Sequence, residues 1–265
     1  MPVKDDLGKR IKGYEQVAKT VLMKRTPVMI RIDGRAFHTF SRGFKKPFDE
    51  ILVKSMQETM KYLCENIQGC KFGYTQSDEI TLVLTDYDTL TTDAWFDYEV
   101  QKMCSIAASM ATMYFNKVFT LHVNDYIQDC ATDYEMYGTC GKDTKEWTLC
   151  EIYQKAMEKG AMFDARCFNI SKEEVTNAVY WRQLDAARNS IQMVGQANFS
   201  HKELQNKTCA MIQEMLFSEK GINWNNYPAY LKRGSACKKV NDKWEIDLDM
   251  PMLKGEDRQY LEEVI

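Results

Sequence analysis

The sequence lacks the features that mark membrane proteins, zinc-binding proteins and small disulfide-rich domains. No window approaches the roughly 18 uninterrupted apolar residues that a membrane-spanning helix needs. None of the nine cysteines forms a Cys-x-x-Cys pair, and the spacing of ten between Cys130, Cys140 and Cys150 fits neither a zinc site nor a disulfide framework. The charged start, MPVKDDLGKRIKGYEQ, has no apolar segment typical of a signal peptide. We therefore expect a cytoplasmic protein with reduced thiols.

Positive charge is not in excess either, and histidine is scarce. The 35 Lys and Arg residues face 38 Asp and Glu residues, so the net charge of −3 creates no global basic field. Any RNA binding would therefore use local patches, of which Lys45-Lys46, Lys232-Arg233 and Lys238-Lys239 are candidates. With three histidines and no evident Ser-His-Asp arrangement, little points to a dedicated side-chain base.

What the sequence does contain is enough apolar residue for a sizeable core, and strong secondary-structure signals. Of 265 residues, 45% are hydrophobic, and no linker marks a domain boundary, so we expect one unit, 1–265. Residues 119–162 appear irregular except for a helix near 148–158, and Ser171 with Glu174 predicts a capping box. The remaining predicted elements are helices at 5–23, 48–66, 97–118, 172–198 and 201–221, and strands at 28–34, 71–75, 79–84 and 161–170.

The order of these elements predicts the fold class. A β-α-β-β-α-β order over about 25–170 is typical of an α+β, ferredoxin-like antiparallel sheet with both helices on one face, and 171–265 adds C-terminal helices. In this topology the first and third strands are central neighbours. Asp33, at the end of the first strand, should therefore lie beside Asp78, at the entry to the third.

Two carboxylates that meet in this way favour a metal site. Each aspartate alone is more simply explained as a turn or cap residue, but the pair would repel unless a cation lay between them. Oxygen ligands that leave room for phosphate suit Mg²⁺, and two such ions would support phosphoryl or nucleotidyl transfer. Next to Asp33, Gly34 permits a tight bend, Arg35 and Lys46 offer positive charge for phosphates, and His38 either binds phosphate or packs.

A polar stripe follows one face of the helix predicted at 172–198. Arg182, Asp185, Asn189 and Gln192 recur at helical spacing. The stripe is either a solvated face with a weak Arg182–Asp185 ion pair or part of a substrate site.

Several ordered motifs together are similar to the tRNA(His) guanylyltransferase superfamily, most of all to its bacterial, archaeal and phage branch. The resemblance spans about residues 8 to 237. It rests on RIDGRAFHTF, FKKPFDE, YTQSDEITLVL, YWRQLDAARNSI and FSEKGINWNNYPAYLKRG.

The resemblance implies a polymerase-like palm that adds nucleotides to the 5′ end of tRNA in the 3′-to-5′ direction. ATP or GTP would activate the 5′-monophosphate, and the 3′-OH of an incoming NTP would then attack it. It also implies a homotetramer, with tRNA and NTPs as ligands and no membrane partner. The implied residues are Asp33, the Gly34 carbonyl and Asp78 for two Mg²⁺ ions; Asp33, Gly34, Arg35, Ala36, Phe37, His38, Ser77 and Asp78 for the nucleotide; Glu79 in support; and Lys46 and Asp49 for activation.

The segment Ala187-Arg188-Asn189-Ser190 departs from the eukaryotic pattern, which has His-Ile-Asn-Asn. The departure favours templated repair of 5′-truncated tRNA over non-templated G addition. With the resemblance, Arg182, Asp185, Arg188 and Asn189 become candidates for holding the tRNA end or for activation.

Two other interpretations remain open. One is a palm-type nucleotidyl cyclase without an RNA substrate, which would share the metal pair. The other is a non-catalytic ferredoxin-like RNA-binding module, which would need aromatic residues on its central strands. The first strand, VMIRIDG, has none.

Overall fold

The computed structural model describes residues 3–137 and 144–265. Three short 3-10 helices, Trp95–Tyr98, Trp224–Asn226 and Gly255–Arg258, lie between the main elements of these residues. The strands are β1 (Val28–Gly34), β2 (Cys70–Gln76), β3 (Glu79–Leu84), β4 (Phe163–Asn169), β5 (Ser235–Val240) and β6 (Lys243–Asp247). The helices are α1 (Val3–Val17), α2 (Phe37–Phe40), α3 (Glu50–Asn66), α4 (Val100–Tyr137), α5 (Lys145–Lys159), α6 (Lys172–Asn198), α7 (His201–Leu204), α8 (Cys209–Lys220), α9 (Ala229–Arg233) and α10 (Gln259–Glu262).

Within the described residues, six strands form one antiparallel sheet in the order β4-β1-β3-β2-β5-β6. The predicted β-α-β-β-α-β order is confirmed, with β1 and β3 adjacent at the centre of the palm-like core. Their register pairs Val28 with Leu84 at one end and Asp33 with Glu79 at the other. On its other side β1 pairs with β4, so that Asp33 lies opposite Asp164.

The side chains of β1 point alternately into two apolar layers, one on each face of the sheet. Val28, Ile30 and Ile32 are fully buried in the layer that also contains residues of α3 and α4. Met29 points to the opposite face, where it packs with Val179 of α6 and with residues of the C-terminal segment. Because both faces are covered, the strand is apolar on both sides until it reaches its polar end.

Strands β5 and β6 extend the sheet beyond β2, and the sequence interpretation of the C-terminal part as helices and loops did not include them. Asn241 and Asp242 join the two strands with φ values of 50° and 61°. Two consecutive left-handed residues are what a tight type I′ hairpin turn requires, and Asn and Asp tolerate this conformation.

Several predicted helix boundaries are wrong. The helix predicted at 5–23 ends at Val17, because residues 20–22 pair instead with the start of α4: Leu22 N donates to Tyr98 O at 3.0 Å, and Val100 N donates to Thr20 O at 2.9 Å. The segment 201–221 is two helices, α7 and α8, rather than one.

The region 119–162 is not irregular where the structure describes it. α4 continues to Tyr137 and α5 occupies Lys145–Lys159; Cys140 lies outside the described residues. In this part α4 keeps a buried stripe through Phe119, Val123 and Cys130.

The capping box is found at a different helix from the one predicted. Ser171 is the N-cap residue of α6, but its side chain makes no cap hydrogen bond. Ser200 and Glu203 form the complete reciprocal pair at the start of α7. Among the described residues, no helix is both long and apolar enough to cross a membrane.

Candidate active site

Asp33 and Asp78 meet at the end of the β1–β3 ladder. The backbone N–H of Gly34 donates to the Asp78 carbonyl oxygen at 3.1 Å, which ties the residue after Asp33 to the turn that carries Asp78. Glu79, directly across from Asp33, begins β3. Two distant segments of the sequence therefore bring three carboxylates to one corner of the sheet.

The two turns at this corner each contain a residue held in the left-handed conformation. Ser77 has a φ of 51° in the two-residue turn between β2 and β3, and its Oγ donates to Asp78 Oδ1 at 3.1 Å. After β1, Ala36 has a φ of 53°, while Gly34 does not have a positive φ. What requires glycine at position 34 is the ring of Phe37, because a Cβ there would lie 2.2 Å from Phe37 Cδ2.

Burial and mutual repulsion raise the pKa of both aspartates. Desolvation raises the pKa of Asp78 to about 6, and the negative charges of Asp33 and Glu79 contribute in the same direction. Burial also raises the pKa of Asp33, reinforced by the charges of Glu79 and Asp164. A bound divalent ion would lower the pKa of both carboxyl groups and so stabilise their ionised forms.

The donor set at this corner fits Mg²⁺ and not a metal caged by side chains. Among the described residues, no group of three or more His, Cys, Asp or Glu is arranged to hold a metal ion. Mg²⁺ usually takes only one or two protein carboxylates and fills its other positions with water and substrate phosphate. Asp33, Asp78 and the neighbouring Gly34 carbonyl match that limited requirement.

The structure adds Asp164 and Arg166 of β4 to the corner, which the sequence interpretation missed. Arg166 Nη2 lies 3.7 Å from Asp33 Oδ2 and 3.5 Å from Asp164 Oδ1. Part of the signal was present, because the segment FDAR of the strand predicted at 161–170 alternates apolar and polar residues, so one of its two registers on β1 places Asp164 opposite Asp33. Finding it required the register of β4 on β1, which the sequence does not provide.

Glu79 is the centre of a network that joins the sheet to α6. Arg31 donates to Glu79 Oε1 at 2.9 Å, and Arg182 donates to Glu79 Oε2. Arg182 also bonds Asp185 Oδ2 at 3.0 Å, and Asn189 donates to the same carboxylate at 3.3 Å.

Because Arg182 is 6% exposed, the alternative of a solvated stripe is wrong at this position. Its Nε has no hydrogen-bond partner among the residues that the structure describes, which leaves a buried donor close to the acidic corner. Arg188, by contrast, is exposed and pairs with Asp185 from outside.

Asp49 has structural contacts that organise the Lys45–Lys46 segment. It caps α3 by accepting from Leu52 N at 2.9 Å, and it accepts from Lys45 N at 2.9 Å and Tyr153 Oη at 2.6 Å. The carboxylate is 5% exposed. Asp49 therefore fixes the backbone next to Lys46.

Two neighbouring cavities lie between this segment and the turn that contains Ser77. Lys46 lines one of about 170 Å³, and Ser77 and Asn189 line one of about 80 Å³; both cavities share Asp49 and Met193. A larger cavity of about 580 Å³ lies among α6, α7 and α8, and Gln192 of the polar stripe lines it, whereas the other predicted site residues do not. Of the loop after β1, Phe37 is buried in the core, and His38 is exposed.

Comparison with known proteins finds relatives along nearly the whole chain. The family model described as tRNAHis guanylyltransferase (Thg1) matches residues 8–171, which include β1 to β4. The tRNA(His) guanylyltransferase of Saccharomyces cerevisiae is 26% identical over 250 residues, covering 88% of this chain and 91% of the yeast protein.

Two solved structures of bacterial proteins agree in fold over almost their full length. A bacterial tRNA(His) guanylyltransferase (Thg1)-like protein in complex with ATP is 40% identical, with a TM-score of 0.80, and the match covers 98% of this chain and 99% of that chain. A bacterial Thg1-like protein in complex with GTP is 36% identical, with a TM-score of 0.72 and coverage of 97% and 98%.

Proposed function

Because the chain belongs to the tRNAHis guanylyltransferase (Thg1) family of nucleotidyltransferases, we propose that it adds nucleotides to the 5′ end of tRNA in the 3′-to-5′ direction. ATP or GTP and the other NTPs are its substrates, as the relatives bound to ATP and GTP suggest. The observation that supports this most is the meeting of Asp33 and Asp78 at the exposed end of a buried strand pair.

Asp33, Asp78 and the Gly34 carbonyl are the proposed ligands of two Mg²⁺ ions. Bound Mg²⁺ would neutralise phosphate charge and lower the pKa of the nucleotide 3′-OH, which agrees with the lack of an evident side-chain base. The raised pKa values of the two aspartates support this assignment. Ionising both carboxyl groups is unfavourable when no cation is near, and a bound cation would remove that cost.

The loop after β1 is proposed to hold the triphosphate. Arg35 to His38 follow the bend at the left-handed Ala36. The Arg35 N–H donates to Met162 O at 2.8 Å, so the proposed phosphate contacts are the Arg35 guanidinium and the N–H groups of residues 36–38. Ser77, in the facing turn, orients Asp78 through its hydroxyl. The Phe37 ring contributes by packing beneath Gly34 and is not proposed to touch the nucleotide.

Lys46 is proposed to contact the phosphates during activation, and Arg188 and Asn189 to hold the tRNA end. Asp49 acts through Lys45 and Lys46 as a positioning residue. Glu79, Arg182 and Asp185 likewise act by holding α6 against the sheet, because Arg182 Nη2 donates to both Glu79 and Asp185.

The proposed activity is templated repair of 5′-truncated tRNA by a chain that works as one catalytic unit. The sequence Ala187-Arg188-Asn189-Ser190 supports templated addition, and the sharing of one sheet by strands from both ends of the chain supports the single unit. The tetramer implied by the resemblance stays a prediction, which sedimentation can test.

The test is incubation of the protein with Mg²⁺, labelled GTP and a tRNA that lacks its first nucleotide, with the products separated on a gel. We expect addition of the base that the opposite strand specifies. Asp33→Ala and Asp78→Ala should each lower the rate by at least about 10³-fold at unchanged fold, because both ligand positions are needed for charge stabilisation. Asp249→Ala, at a carboxylate that is 89% exposed, is the matched control and should be neutral.

Three results would contradict the proposal. Retained activity in either aspartate variant would remove the metal assignment. Addition of G regardless of the template would remove the repair activity. GTP turnover that is unaffected by omission of RNA would favour the cyclase alternative.

A further inference from the structure

We propose that the surface formed by Arg166 and Phe168 of β4 and Trp181 of α6 binds the terminal nucleotides of the RNA substrate, with a base stacked on Trp181 and a phosphate on Arg166. We call this the β4–α6 surface. The inference rests on the proposed function, because it identifies where the acceptor strand lies relative to Asp33.

The first observation is that β4 is an edge strand with one face open. Ala165 and Cys167 point into the apolar layer beneath the sheet. Asp164, Arg166 and Phe168 alternate with them and are exposed, on the face where α6 covers the neighbouring strands. A strand in this position presents a row of side chains to solvent rather than to another layer of the fold.

The second observation is that Trp181 is exposed over 55% of its surface although it lies next to a buried ion-pair network. The Cζ atoms of Arg31 and Arg182 are 5.6 Å and 4.7 Å from its ring centroid. These cation–π contacts hold the ring, and more than half of the residue's surface stays exposed. A rigid, partly uncovered indole beside cationic groups is a sequence-tolerant stacking site for a nucleobase.

The third observation is the order of chemical groups along the surface. Asp33 lies opposite Asp164, and Arg31 lies opposite Arg166 one step further along the same face. The row therefore runs from carboxylates to guanidinium groups and ends at an aromatic ring, Phe168. From Asp164 to Phe168 the strand rises about 13 Å, which corresponds to about four stacked nucleotides at about 3.4 Å each.

This order fits an RNA strand whose reacting end lies at Asp33. Arg166 is 55% exposed in its side chain, and its two carboxylate contacts, at 3.5 Å and 3.7 Å, are long and weak, so the guanidinium can exchange them for a phosphate. A mononucleotide at the metal site would not extend as far as Phe168. A protein partner would gain little from a narrow row that begins with two acids.

Binding of a fluorescently labelled tRNA that lacks its first nucleotide, followed by anisotropy, tests the surface directly. Trp181→Ala should raise the Kd about tenfold or more, as loss of a base stack does, and Trp181→Phe should recover most of the affinity. Phe217→Ala removes an aromatic side chain that is 61% exposed on α8, and this matched control should leave the Kd unchanged.

Salt dependence separates the two proposed contacts. Arg166→Gln should weaken binding and reduce the slope of log K against log salt concentration by about 0.7–0.9, the value of one phosphate contact. Trp181→Ala should weaken binding without changing this slope, because a base stack releases no counterion. An unchanged slope for Arg166→Gln would overturn the phosphate contact.

Intrinsic fluorescence provides a readout that does not depend on how well Trp181→Ala folds. Addition of the unlabelled tRNA should quench part of the wild-type tryptophan emission, and that part should be missing in Trp181→Phe. Equal quenching in the two proteins would overturn the proposal.

The remaining outcomes distinguish this inference from the proposed function. If wild-type protein extends and binds the tRNA while Trp181→Ala binds it equally well, the surface is refuted and the proposed function stands. If wild-type protein neither binds nor extends tRNA, both fail. If Trp181→Ala weakens binding of a fluorescent GTP analogue as much as binding of tRNA, the surface belongs to the mononucleotide and the inference is overturned.

Discussion

At the residue scale, the buried carboxyl of Asp78 makes the metal-free protein less stable at neutral pH than under mildly acidic conditions. Its pKa is about 6 in the folded chain, above the value of 3.8 for an unperturbed aspartate. Between these two pH values the folded state retains a proton that the unfolded state has lost. Stability therefore falls as pH rises from about 4 to about 6, and above that range the loss is complete.

Asp78→Asn should remove this loss. We expect the metal-free variant to gain on the order of 1–3 kcal/mol in free energy of unfolding at pH 7, since one pKa unit corresponds to about 1.4 kcal/mol. The variant should also show no stabilisation by added Mg²⁺. Urea denaturation in the presence of a chelator, at pH 4.5 and pH 7, measures the first effect, and repetition with Mg²⁺ measures the second.

The control for this measurement is Asp249→Asn, whose side chain is largely exposed and should change stability by less than about 0.5 kcal/mol. Asp78→Asn would contradict the argument if it were no more stable than wild type at pH 7.

Some residues of the acidic corner could be predicted from the sequence, and others could not. Asp33 and Asp78 were found because strand order alone brings their strand ends together. Asp164 and Arg166 were not, because they depend on the register of β4, and a shift of one residue would replace them with apolar neighbours. The role of Phe37 was missed for a different reason: its packing under Gly34 follows from side-chain geometry rather than from any pattern.

At the scale of elements, the attachment of α6 to the sheet depends on the pair Glu79 and Arg182. Both side chains are mostly buried, so removal of one partner leaves a charge in a poorly solvated place. We expect Arg182→Met to lower the free energy of unfolding by about 3 kcal/mol and to slow nucleotide addition, because Glu79 then loses one of the two arginines that hold it.

A double-mutant cycle of Glu79→Gln and Arg182→Met measures the coupling between the two side chains. We expect at least about 1 kcal/mol. The matched surface pair Arg258 and Glu262, at i and i+4 and 3.0 Å apart, should couple by less than about 0.5 kcal/mol. Equal coupling in the two cycles would refute a special role for the buried pair.

The second half of α4 was not predicted because its local sequence gives a weak helical signal. Residues 119–137 contain several poor helix formers, including Asn, Asp, Thr, Cys and Tyr, which obscures the helical signal. The buried positions Phe119, Val123 and Cys130 nevertheless continue the spacing of Phe115. Tertiary packing therefore overrides weak local preference here, and only a count along the apolar stripe would have found the helix.

At the scale of the whole molecule, a buried side chain of α6 helps to hold the C-terminal segment to the palm. Gln183 is fully buried, donates to Pro251 O at 2.8 Å and accepts from Leu253 N at 2.9 Å. Leu253 and Leu261 belong to the apolar cluster that also contains Met29 of β1 and Val179 of α6. The C-terminal segment therefore packs, together with α6, on the face of the sheet to which Met29 points.

Gln183→Met should loosen this packing. The substitution keeps the apolar volume but leaves a buried N–H and a buried carbonyl without partners, at about 1–3 kcal/mol each. We expect the segment after residue 249 to exchange its amide hydrogens faster and to be cut earlier by protease than in the wild type. Gln192→Met, at an exposed position of the same helix, should change neither rate; similar protection in both variants would contradict this role of Gln183.

The alternation of β1 between two covered faces has a consequence for how the chain can tolerate insertions and deletions. Loss of one residue between Val28 and Ile32 would exchange odd and even positions along the strand, so that Asp33 would face the layer that now holds Ile30. The same event would damage the core and the acidic corner together. Relatives with altered spacing in this strand should therefore be absent among active proteins.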